Sequence, residues 1–591
     1  MTMEVVVWHE DLGSDDDAAT EEESFARMLY CWPPKSMQEQ LRVLQLLQGV
    51  YAFSSRFSSS PTTVTHVQLT NMHYCFERVE PKVWIALGHA TAQVPTTSNQ
   101  VTCCCWMTEP IQDTDKYIME TVLRDMYASF RLLHGGIAWL LQAASMEYYS
   151  VDLPRSLVDA GLHSGLDVLV ELASCRKKMR KTAQLIFKIQ HDPDTHDCTA
   201  ATLALADLSS WASTLVAASP VPRLQAVMGN FFPIYLRNLD VKHLNCMHAM
   251  DGIPPAPADS MQQMAAHMLA HSLRSDVPAV MHCASFDHGQ LVSGGSWDAT
   301  QLQLVYRFLR LREQQAVLPH QSTKHPREVT PPWLQSNSAQ RSIWASKQTY
   351  VDGGLLPPKK RTSARDLFVD AISSSSSSAK DDTTAAAARG FQAADGRFDA
   401  DIAPDKLWRL PLFFDSTDVK STADLIVWHD APCTLLLCVQ SQANSSSLVA
   451  DVGNYLRHCV HVGALTDANP PRHGHQVSSS AFIHVNRLTK QTQLHNVGKF
   501  KGPVPPILMA SCFPPRLLES LNVVRYDLES DDQIMDIFTK TSADGWIIVR
   551  RSGSLERELV AFMDAKTVES VSDLSNTMNT LIHTSFDTIF M

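Results

Sequence analysis

Along the first part of the chain, segments whose hydrophobic positions repeat as in a strand are followed by segments in which they repeat as in a helix. Strand-like segments lie at Glu4–His9 and Phe25–Cys31, and a helix follows the pair Pro33-Pro34. Next come three strand-like runs and a closing helix, namely HVQLTNMHYCFERV, KVWIALGHA, VTCCCWMT and the apolar positions from Ile118 to Leu133. This order predicts a five-stranded antiparallel sheet with helices packed on it, an α+β architecture.

The same plan recurs twice more along the chain. A second copy has the helix SMQQMAAHMLAHSL and the hairpin PAVMHCASFDHGQLVSGG, and a third begins at KLWRLPLFF. The predicted segments are a first unit at 1–145 with an acidic loop at 10–23, a helical connector at 146–238, a second unit at 239–315, a low-complexity linker at 316–404 and a third unit with C-terminal strands and helix at 405–591. The linker contains ISSSSSSAKDD and has no hydrophobic periodicity, which predicts disorder.

The helix after Pro34 carries two apolar stripes, whereas a helix that lies on a sheet needs one. One stripe is formed by Met37, Leu41, Leu44, Leu47 and Tyr51. The other is formed by Val43, Leu46, Val50 and Phe53, followed by Phe57. Burying large apolar side chains contributes about 1.5–3 kcal/mol each, so the second stripe predicts a second covering surface. That surface is either the helical connector of the same chain or a partner protein, and the residues alone favour neither.

Charge and cysteine content narrow the class of protein. The 591-residue chain has a net charge of -12, which argues against general nucleic-acid binding. Its 13 cysteines are scattered apart from Cys103-Cys104-Cys105, as expected of reduced thiols in a cytosolic protein. The N-terminus lacks the pattern of a signal peptide. No apolar run is expected to reach the roughly 18 residues of a membrane span, so any membrane contact should be peripheral.

The sequence contains no recognisable set of catalytic residues, no metal-ligand pattern and no cofactor-binding motif. No GxxxxGK[ST] phosphate loop and no GxSxG elbow occur. His267 and His271 have the spacing of a zinc helix, but methionine replaces the glutamate and no third ligand is evident. The cysteine triplet would point to alternating faces of a strand and could not converge on one metal. The sequence therefore predicts a non-enzymatic protein that acts by binding.

Several ordered motifs give the chain a resemblance to a known family. The motifs are MLYCWPP leading into QLRVLQLLQGVYAFSSRF, HYCFERVEPKVWIALG, FRLLHGG, FDHGQLVSGG, LQLVYRFLRL, AFIHVNRL, GWIIVRRSGSLERELVAFMD and SFDTIFM. In this order they resemble the vacuolar and lysosomal fusion proteins of the CCZ family (calcium–caffeine–zinc sensitivity protein one). The likeness covers three blocks and omits the linker.

This resemblance implies three longin domains and an obligate complex with a Mon-family triple-longin subunit. Such a complex acts as a guanine nucleotide exchange factor for a late-endosomal GTPase of the Rab-seven type, and promotes endosome maturation and vacuole or lysosome fusion. It would be cytoplasmic and recruited peripherally to a phosphoinositide-containing endosomal membrane. The alternatives are another triple-longin protein, serving lysosome-related-organelle biogenesis or ciliogenesis, or a trafficking adaptor without exchange activity.

Two sets of residues are candidate contact sites. Val43, Leu46, Val50 and Phe53 would meet the partner subunit. In the linker, a short basic amphipathic helix would touch an anionic membrane through Lys359, Lys360, Arg361, Arg365, Leu367 and Phe368. The same linker stretch is also compatible with a chance nuclear-import pattern or with plain solvated chain.

Overall fold

A computed structural model shows three antiparallel sheets flanked by helices, which confirms the predicted α+β class. The residues that the structure describes are 3–13, 19–54, 56, 64–69, 72–90, 109–142, 155–190, 199–238, 252–256, 260–287, 289–317, 389–393, 398–399, 402–414, 422–430, 433–441, 445–459, 462, 465, 481–495, 515–541, 545–552, 556–564 and 570–585.

The first module contains one five-stranded sheet. Its elements are β1 (Met3–His9), α1 (Glu21–Phe25), β2 (Met28–Trp32), α2 (Met37–Ser54), β3 (Val64–Gln68), β4 (Met72–Glu80), β5 (Val83–Ala90), α3 (Glu109–His134) and α4 (Ile137–Gln142). The number of strands agrees with the prediction, but the run HVQLTNMHYCFERV forms two of them, β3 and β4. The run VTCCCWMT, with Cys103, Cys104 and Cys105, lies outside the described residues.

In its described residues the connector, which precedes the second module, has four helices. They are α5 (Arg155–Asp159), α6 (Gly165–Gln190), α7 (Thr199–Ala217) and α8 (Val221–Asn238). The second module has α9 (Ser260–Asp276), β6 (Val280–Asp287), β7 (Gln290–Ser293), α10 (Ala299–Val317), β8 (Arg389–Gln392), β9 (Phe398–Asp399), β10 (Leu410–Phe413), β11 (Thr422–Asp430), β12 (Cys433–Gln440) and α11 (Ser445–His458). The third has β13 (Ala481–Asn486), β14 (Gln491–His495), α12 (Pro515–Ser530), β15 (Asp536–Lys540), β16 (Gly545–Arg551), β17 (Arg557–Asp564) and α13 (Val571–Ser585).

All three sheets share one strand order. The first sheet runs β2-β1-β5-β4-β3 and the third runs β14-β13-β17-β16-β15. In the second sheet β7, β6, β12 and β11 take the same places, and β10 pairs with β11 as the third strand of the module. The extra strand β8 pairs with the other half of β11, and β9 continues from it, which makes a sheet of seven strands. The expectation of five strands in every sheet was therefore wrong for the second module.

Strand pairing also moves a predicted domain boundary. The expected third unit began at residue 405, yet β10, β11 and β12 belong to the second sheet, where β12 pairs directly with β6. The second module is consequently assembled from chain on both sides of residues 318–388. Sequence periodicity could not show this, because it reports each strand but not which strand it pairs with.

A short extended segment, Gly252–Ala256, joins the second and third sheets. The Ile253 amide donates to the Lys490 carbonyl at 2.8 Å, and the Thr492 amide donates to the Ile253 carbonyl at 3.1 Å. On its other side the Leu291 amide donates to the Pro254 carbonyl at 2.7 Å. A Cβ on Gly252 would lie 2.5 Å from the Thr492 hydroxyl, so only glycine fits this approach. The segment thus covers the free edges of β7 and β14, the second strands of their modules.

The first two modules share a hydrophobic core on one face of the first sheet. There α3 and α8 pack on the sheet, with Phe130 and Phe232 stacked at 5.2 Å between ring centroids. The same core continues into Phe286 of β6 and Leu425 of β11. Arg307 of α10 also pairs with Asp125 of α3 at 2.6 Å. The connector is therefore partly core: α8 is buried between modules, whereas α6 and α7 pack mainly on each other.

We expect the second module to survive cleavage of the chain within residues 318–388. Pairing of β6 with β12 and the shared core both join the two resulting fragments, so they should remain together after proteolysis at a site inserted there. Gel filtration of the cleaved chain in native buffer measures this, with the uncleaved insertion variant as the reference. Separation of the fragments without denaturant would contradict the observed pairing.

A buried charge network stabilises the third module. Glu558 is fully buried and accepts hydrogen bonds from Arg525 and, at 3.1 Å, from Arg487. Arg525 also contacts Glu529 at 2.7 Å. Burial alone would raise the pKa of Glu558, but the neighbouring arginine charges outweigh it and hold that pKa below its usual value. The network connects β17, α12 and the end of β13.

Replacing Glu558 by Gln should lower the free energy of unfolding by about 3–5 kcal/mol, because the buried Arg525 loses its fully buried counter-charge and keeps only the less buried Glu529. Asp536→Asn, in the more exposed pair with Arg550, should cost less than about 1 kcal/mol. Because the folded-state pKa of Glu558 is lowered, its contribution is full above the ordinary glutamate pKa and is lost as the pH falls through the lowered value. Urea unfolding at neutral and acidic pH measures both effects; equal costs for the two variants would refute the stabilising role of the network.

Candidate partner-binding surface

Helix α2 begins at a reciprocal cap that its sequence encodes. The Glu39 amide donates to the Ser36 hydroxyl at 3.3 Å, and the Ser36 amide donates to the Glu39 carboxylate at 3.0 Å. Pro33 and Pro34 precede this cap and end β2. The cap therefore fixes where the helix starts relative to the sheet.

A buried carboxylate holds the turn between β2 and α2 against the sheet. Glu4 of β1 accepts hydrogen bonds from Lys35 at 2.6 Å and from the Tyr74 hydroxyl at 3.0 Å. Burial, followed by the Glu4 charge, raises the pKa of Tyr74 above its ordinary value. For the same two reasons the pKa of the neighbouring Cys31 rises to about 12, so its thiol stays protonated. These hydrogen bonds therefore fix the β2–α2 turn, and with it the start of α2, relative to the first sheet.

The predicted inward stripe of α2 is buried against the sheet in the middle of the helix and exposed at its start. Leu41, Leu44 and Leu47 are buried against the sheet. Tyr51 packs edge-on against Trp84, with 4.4 Å between ring centroids. Met37, expected in the same stripe, is 38% exposed.

The four predicted partner-binding residues are not all equally exposed. Val43 and Val50 are half-buried and pack against the core beneath α2, Leu46 is half-buried, and Phe53 is 67% exposed. On a helical wheel Leu46 and Phe53 lie opposite Leu44, while Val43 and Val50 lie at the flank. Leu46 and Phe53 thus form the outward part of the stripe. Phe57 lies outside the described residues.

The large buried side chains of α8, the last helix of the connector, lie on the opposite face of the first sheet. Tyr30 of β2 meets Phe232 of α8 at 5.8 Å, in the core that contains α3. Helix α6 approaches the α2 side through α1, where Arg180 lies 3.4 Å from Glu23. These contacts do not bury Phe53. The alternative that the connector covers the whole second stripe therefore receives no support from the described residues.

One edge of the first sheet, formed by β2, has no strand partner among the described residues. Strand β2 is terminal in its sheet and, within the described ranges, pairs only with β1. In the other two modules the equivalent strands, β7 and β14, pair with Gly252–Ala256. The outward residues of α2 and the free edge of β2 together define what we call the α2–β2 surface: Leu46, Gly49, Phe53 and the backbone of Met28–Trp32.

Three described histidines, His66, His73 and His267, have local hydrogen-bond partners. In the first module His66 lies 2.7 Å from Glu120 through one ring nitrogen and 3.3 Å from His73 through the other. Burial, with the neighbouring His66, lowers the pKa of His73 to about 4, so it is neutral at pH 7. His267 faces Ser293 at 3.4 Å. Across the described ranges, no three histidine, cysteine or acidic side chains come together as metal ligands would.

The predicted membrane-contact segment falls in a part of the chain that the structure does not cover. Lys359, Lys360, Arg361, Arg365, Leu367 and Phe368 all lie outside the described residues. The basic sequence RKKMRK in α6, which the sequence patterns did not single out, is within them. A count of charges along the connector would have found it.

A comparison with protein-family models identifies the first module. Residues 14–135 match the model described as the first longin domain of INTU, CCZ1 and HPS4. The first module is a longin domain. The match covers α1 to α3 and thus both elements of the α2–β2 surface. A search of curated proteins finds no match.

The repeated strand order extends this result to the rest of the chain. The second and third modules arrange their strands as the first longin module does, with a helix between their second and third strands. The chain is therefore a triple-longin protein of a trafficking-related kind. The matching model is shared by INTU, CCZ1 and HPS4, so it supports the longin family without singling out CCZ1.

Gly49→Ala tests whether the outer side of α2 is open. A Cβ at Gly49 would meet no atom within 4 Å, so alanine should stabilise the helix by about 0.5–1 kcal/mol. At Gly88 the added atom would lie 2.6 Å from the Tyr74 ring, so Gly88→Ala should destabilise the protein. Thermal unfolding measures both variants. A destabilising Gly49→Ala would mean that other atoms occupy this space.

Proposed function

We propose that this chain is the non-catalytic subunit of a heterodimeric guanine nucleotide exchange factor for a late-endosomal GTPase of the Rab-seven type. Its partner is a Mon-family triple-longin subunit, and the complex promotes endosome maturation and fusion at the vacuole or lysosome. In this proposal the protein is cytoplasmic and binds its membrane peripherally. The observation that carries the proposal is the α2–β2 surface on a longin domain of the group that includes CCZ1.

The α2–β2 surface has the features of a protein interface. An unpaired strand edge presents backbone donors and acceptors that another chain can satisfy. On the outward side of α2, the exposed ring of Phe53 and the half-buried Leu46 offer apolar area, and Gly49 has open space around it. Aromatic side chains, phenylalanine included, are enriched in protein interfaces. A second longin domain, which has the same helix and edge strand, is the partner that this geometry fits best.

The second and third modules support the choice of a longin-like partner. Their equivalent edge strands do not stay open but are joined through Gly252–Ala256. Within this chain, two modules therefore already have their second strands covered, because both strands pair with the same extended segment. The first module would obtain its cover from another subunit instead.

Exchange by this complex would need no acid, base or metal from the chain. A GTPase releases its nucleotide when its switch region and magnesium site are deformed, and a rigid protein surface is sufficient to select the deformed state. The core shared by the first two modules would supply that rigidity. The role of the chain is therefore to complete and hold the surface that binds the GTPase.

Release of labelled GDP from a Rab-seven-type GTPase tests the proposed function. The chain together with its Mon-family partner should accelerate release, and the chain alone should not. The alternatives are a longin subunit for organelle biogenesis or ciliogenesis, or an adaptor. They predict no acceleration of this GTPase even when the two subunits are bound.

Phe53→Glu should weaken binding of the partner subunit on the order of tenfold or more, because it places a charge at the centre of an apolar contact. The variant should fold normally, since Phe53 is 67% exposed. Leu488→Glu is the matched control: that side chain is 64% exposed, but in the third module. Co-purification and circular dichroism give the two readouts.

The two variants must differ for the α2–β2 surface to be the interface. Equal partner binding by Phe53→Glu and wild type would place the interface elsewhere. Loss of folding by Phe53→Glu would show that the residue belongs to the core.

A further inference from the structure

The α6–α7 hairpin of the connector is packed at one end and partly to fully exposed beyond it. Near its base, Val168, Leu172 and Cys175 of α6 and Leu215 of α7 form a small core. Further out, every described side chain of α6 from Arg176 to Ile189 is at least partly exposed, and so is every one of α7 from Thr199 to Thr214. Beyond its base the hairpin therefore has little core of its own.

One side of α6 is strongly basic. Six cations lie between residues 176 and 188, and no acidic residue lies between 176 and 190. Two of the six, Lys178 and Arg180, pair with Glu171 and Glu23. Lys177, Lys181 and Lys188 are exposed and share one face of the helix, since they are spaced by four and seven residues. The chain as a whole has a net charge of -12, so this stripe is a local reversal of sign.

Large apolar side chains are exposed beyond the basic stretch. Leu185 is 51% exposed and Phe187 is 61% exposed near the end of α6, and Leu203 of α7 is 68% exposed. Helix α7 has Asp207 as its single charged residue and is otherwise made of alanine, serine, threonine and apolar residues. The outer part of the hairpin thus combines apolar side chains with cations from Arg176 to Lys188.

A hydropathy criterion points to the same region. One stretch among the described residues, Thr199–Leu236, is long and apolar enough to cross a membrane by length and composition. The expectation that no such stretch exists was therefore wrong. Helix α7 ends at Ala217, however, and α8 is packed in the core through Phe231 and Phe232. A straight span through both helices is incompatible with this packing, and the accessible part of the stretch is α7.

We propose that the α6–α7 hairpin is a membrane-docking element that lays its basic face on an anionic lipid surface and inserts its apolar outer end among the lipid headgroups. This deepens the peripheral membrane contact of the proposed function by assigning it to residues 176–210 of the connector. It does not depend on the basic segment at 359–368.

Charge complementarity favours a lipid surface over a protein partner. Lysines near an anionic bilayer contribute roughly 1 kcal/mol each, and exposed leucine and phenylalanine side chains gain from entering the headgroup region. Protein interface centres, by contrast, are depleted of lysine. The stripe made of Lys177, Lys181 and Lys188 therefore fits an anionic lipid surface better than the centre of a protein interface. A protein partner remains an outcome that the experiment can reveal.

Sedimentation of the full chain with vesicles tests the proposal. Phosphatidylcholine vesicles with and without phosphatidylserine are compared, and the wild-type chain should bind those that contain phosphatidylserine. Lys177→Ser/Lys181→Ser should weaken this binding roughly tenfold to thirtyfold. Leu185→Gln/Phe187→Gln should weaken it at least several-fold, because glutamine keeps the helix but removes the apolar contact.

Two control variants match these changes at other places. Lys406→Ser/Lys540→Ser removes the same charge from exposed positions in the second and third modules. Leu488→Gln/Val571→Gln removes side chains that are 64% and 54% exposed. Both controls should bind phosphatidylserine vesicles as the wild type does.

Three results would overturn the proposal. The first is failure of the wild type to bind anionic vesicles, and the second is binding of these vesicles by the hairpin variants as well as by their controls. In the third case, hairpin variants keep vesicle binding but lose binding of the partner subunit. The last result would make the hairpin a protein-binding element. GDP release in solution, without vesicles, should be the same for the hairpin variants and the wild type. Failure of the exchange function would therefore leave the vesicle result standing, and the two proposals can fail separately.

Discussion

The free edge of a β-sheet is the constraint on which this architecture depends. Such an edge presents unpaired amides and carbonyls, and a protein must cover it, distort it or use it. In each module the second strand lies at an edge, because all three sheets share one order. Two of these edges are covered by Gly252–Ala256 within the chain, while that of β2 has no strand partner among the described residues. The proposed binding of a second longin subunit follows from that difference.

The rest of the fold holds this edge in place. Helix α3 contacts all three modules, reaching β10 and α10 of the second and α12 of the third. The core around Phe130 and Phe232 runs from the first sheet into the second without interruption. Because the two sheets share a core, a partner seated on the α2–β2 surface would contact a body larger than one longin domain. A rigid platform of this kind suits a protein that acts by binding.

The sequence predicted local elements well and their assembly less well. The hydrophobic pattern located β1 and β5, which are buried on both faces and read as apolar runs, and α2 and the final helix, which repeat with the helical period. The same pattern predicted β3 and β4 as one strand, because the short connection between them contains no glycine or proline to mark a turn. It also assigned β10–β12 to the wrong module, because the strands they pair with lie before residue 318.

For the site, the sequence predicted the helix but not the direction of each side chain. Two stripes on α2 were visible, yet only the structure shows Val43 and Val50 packed at the flank and Phe53 exposed. The open edge of β2 could not be read from its sequence, since edge and central strands differ by their neighbours rather than by their residues. The basic face of α6 was readable, but its exposure depends on how little of the hairpin the other helices cover.

Hydrogen exchange of the backbone amides of Met28–Trp32 tests the central claim most directly. In the isolated chain the outward amides of this strand should exchange rapidly, in contrast to those of β1, which is paired on both sides. On addition of the Mon-family subunit, β2 and the α2 segment around Phe53 should become protected together. Protection of β2 in the isolated chain, or a bound complex in which its exchange is unchanged, would contradict the account.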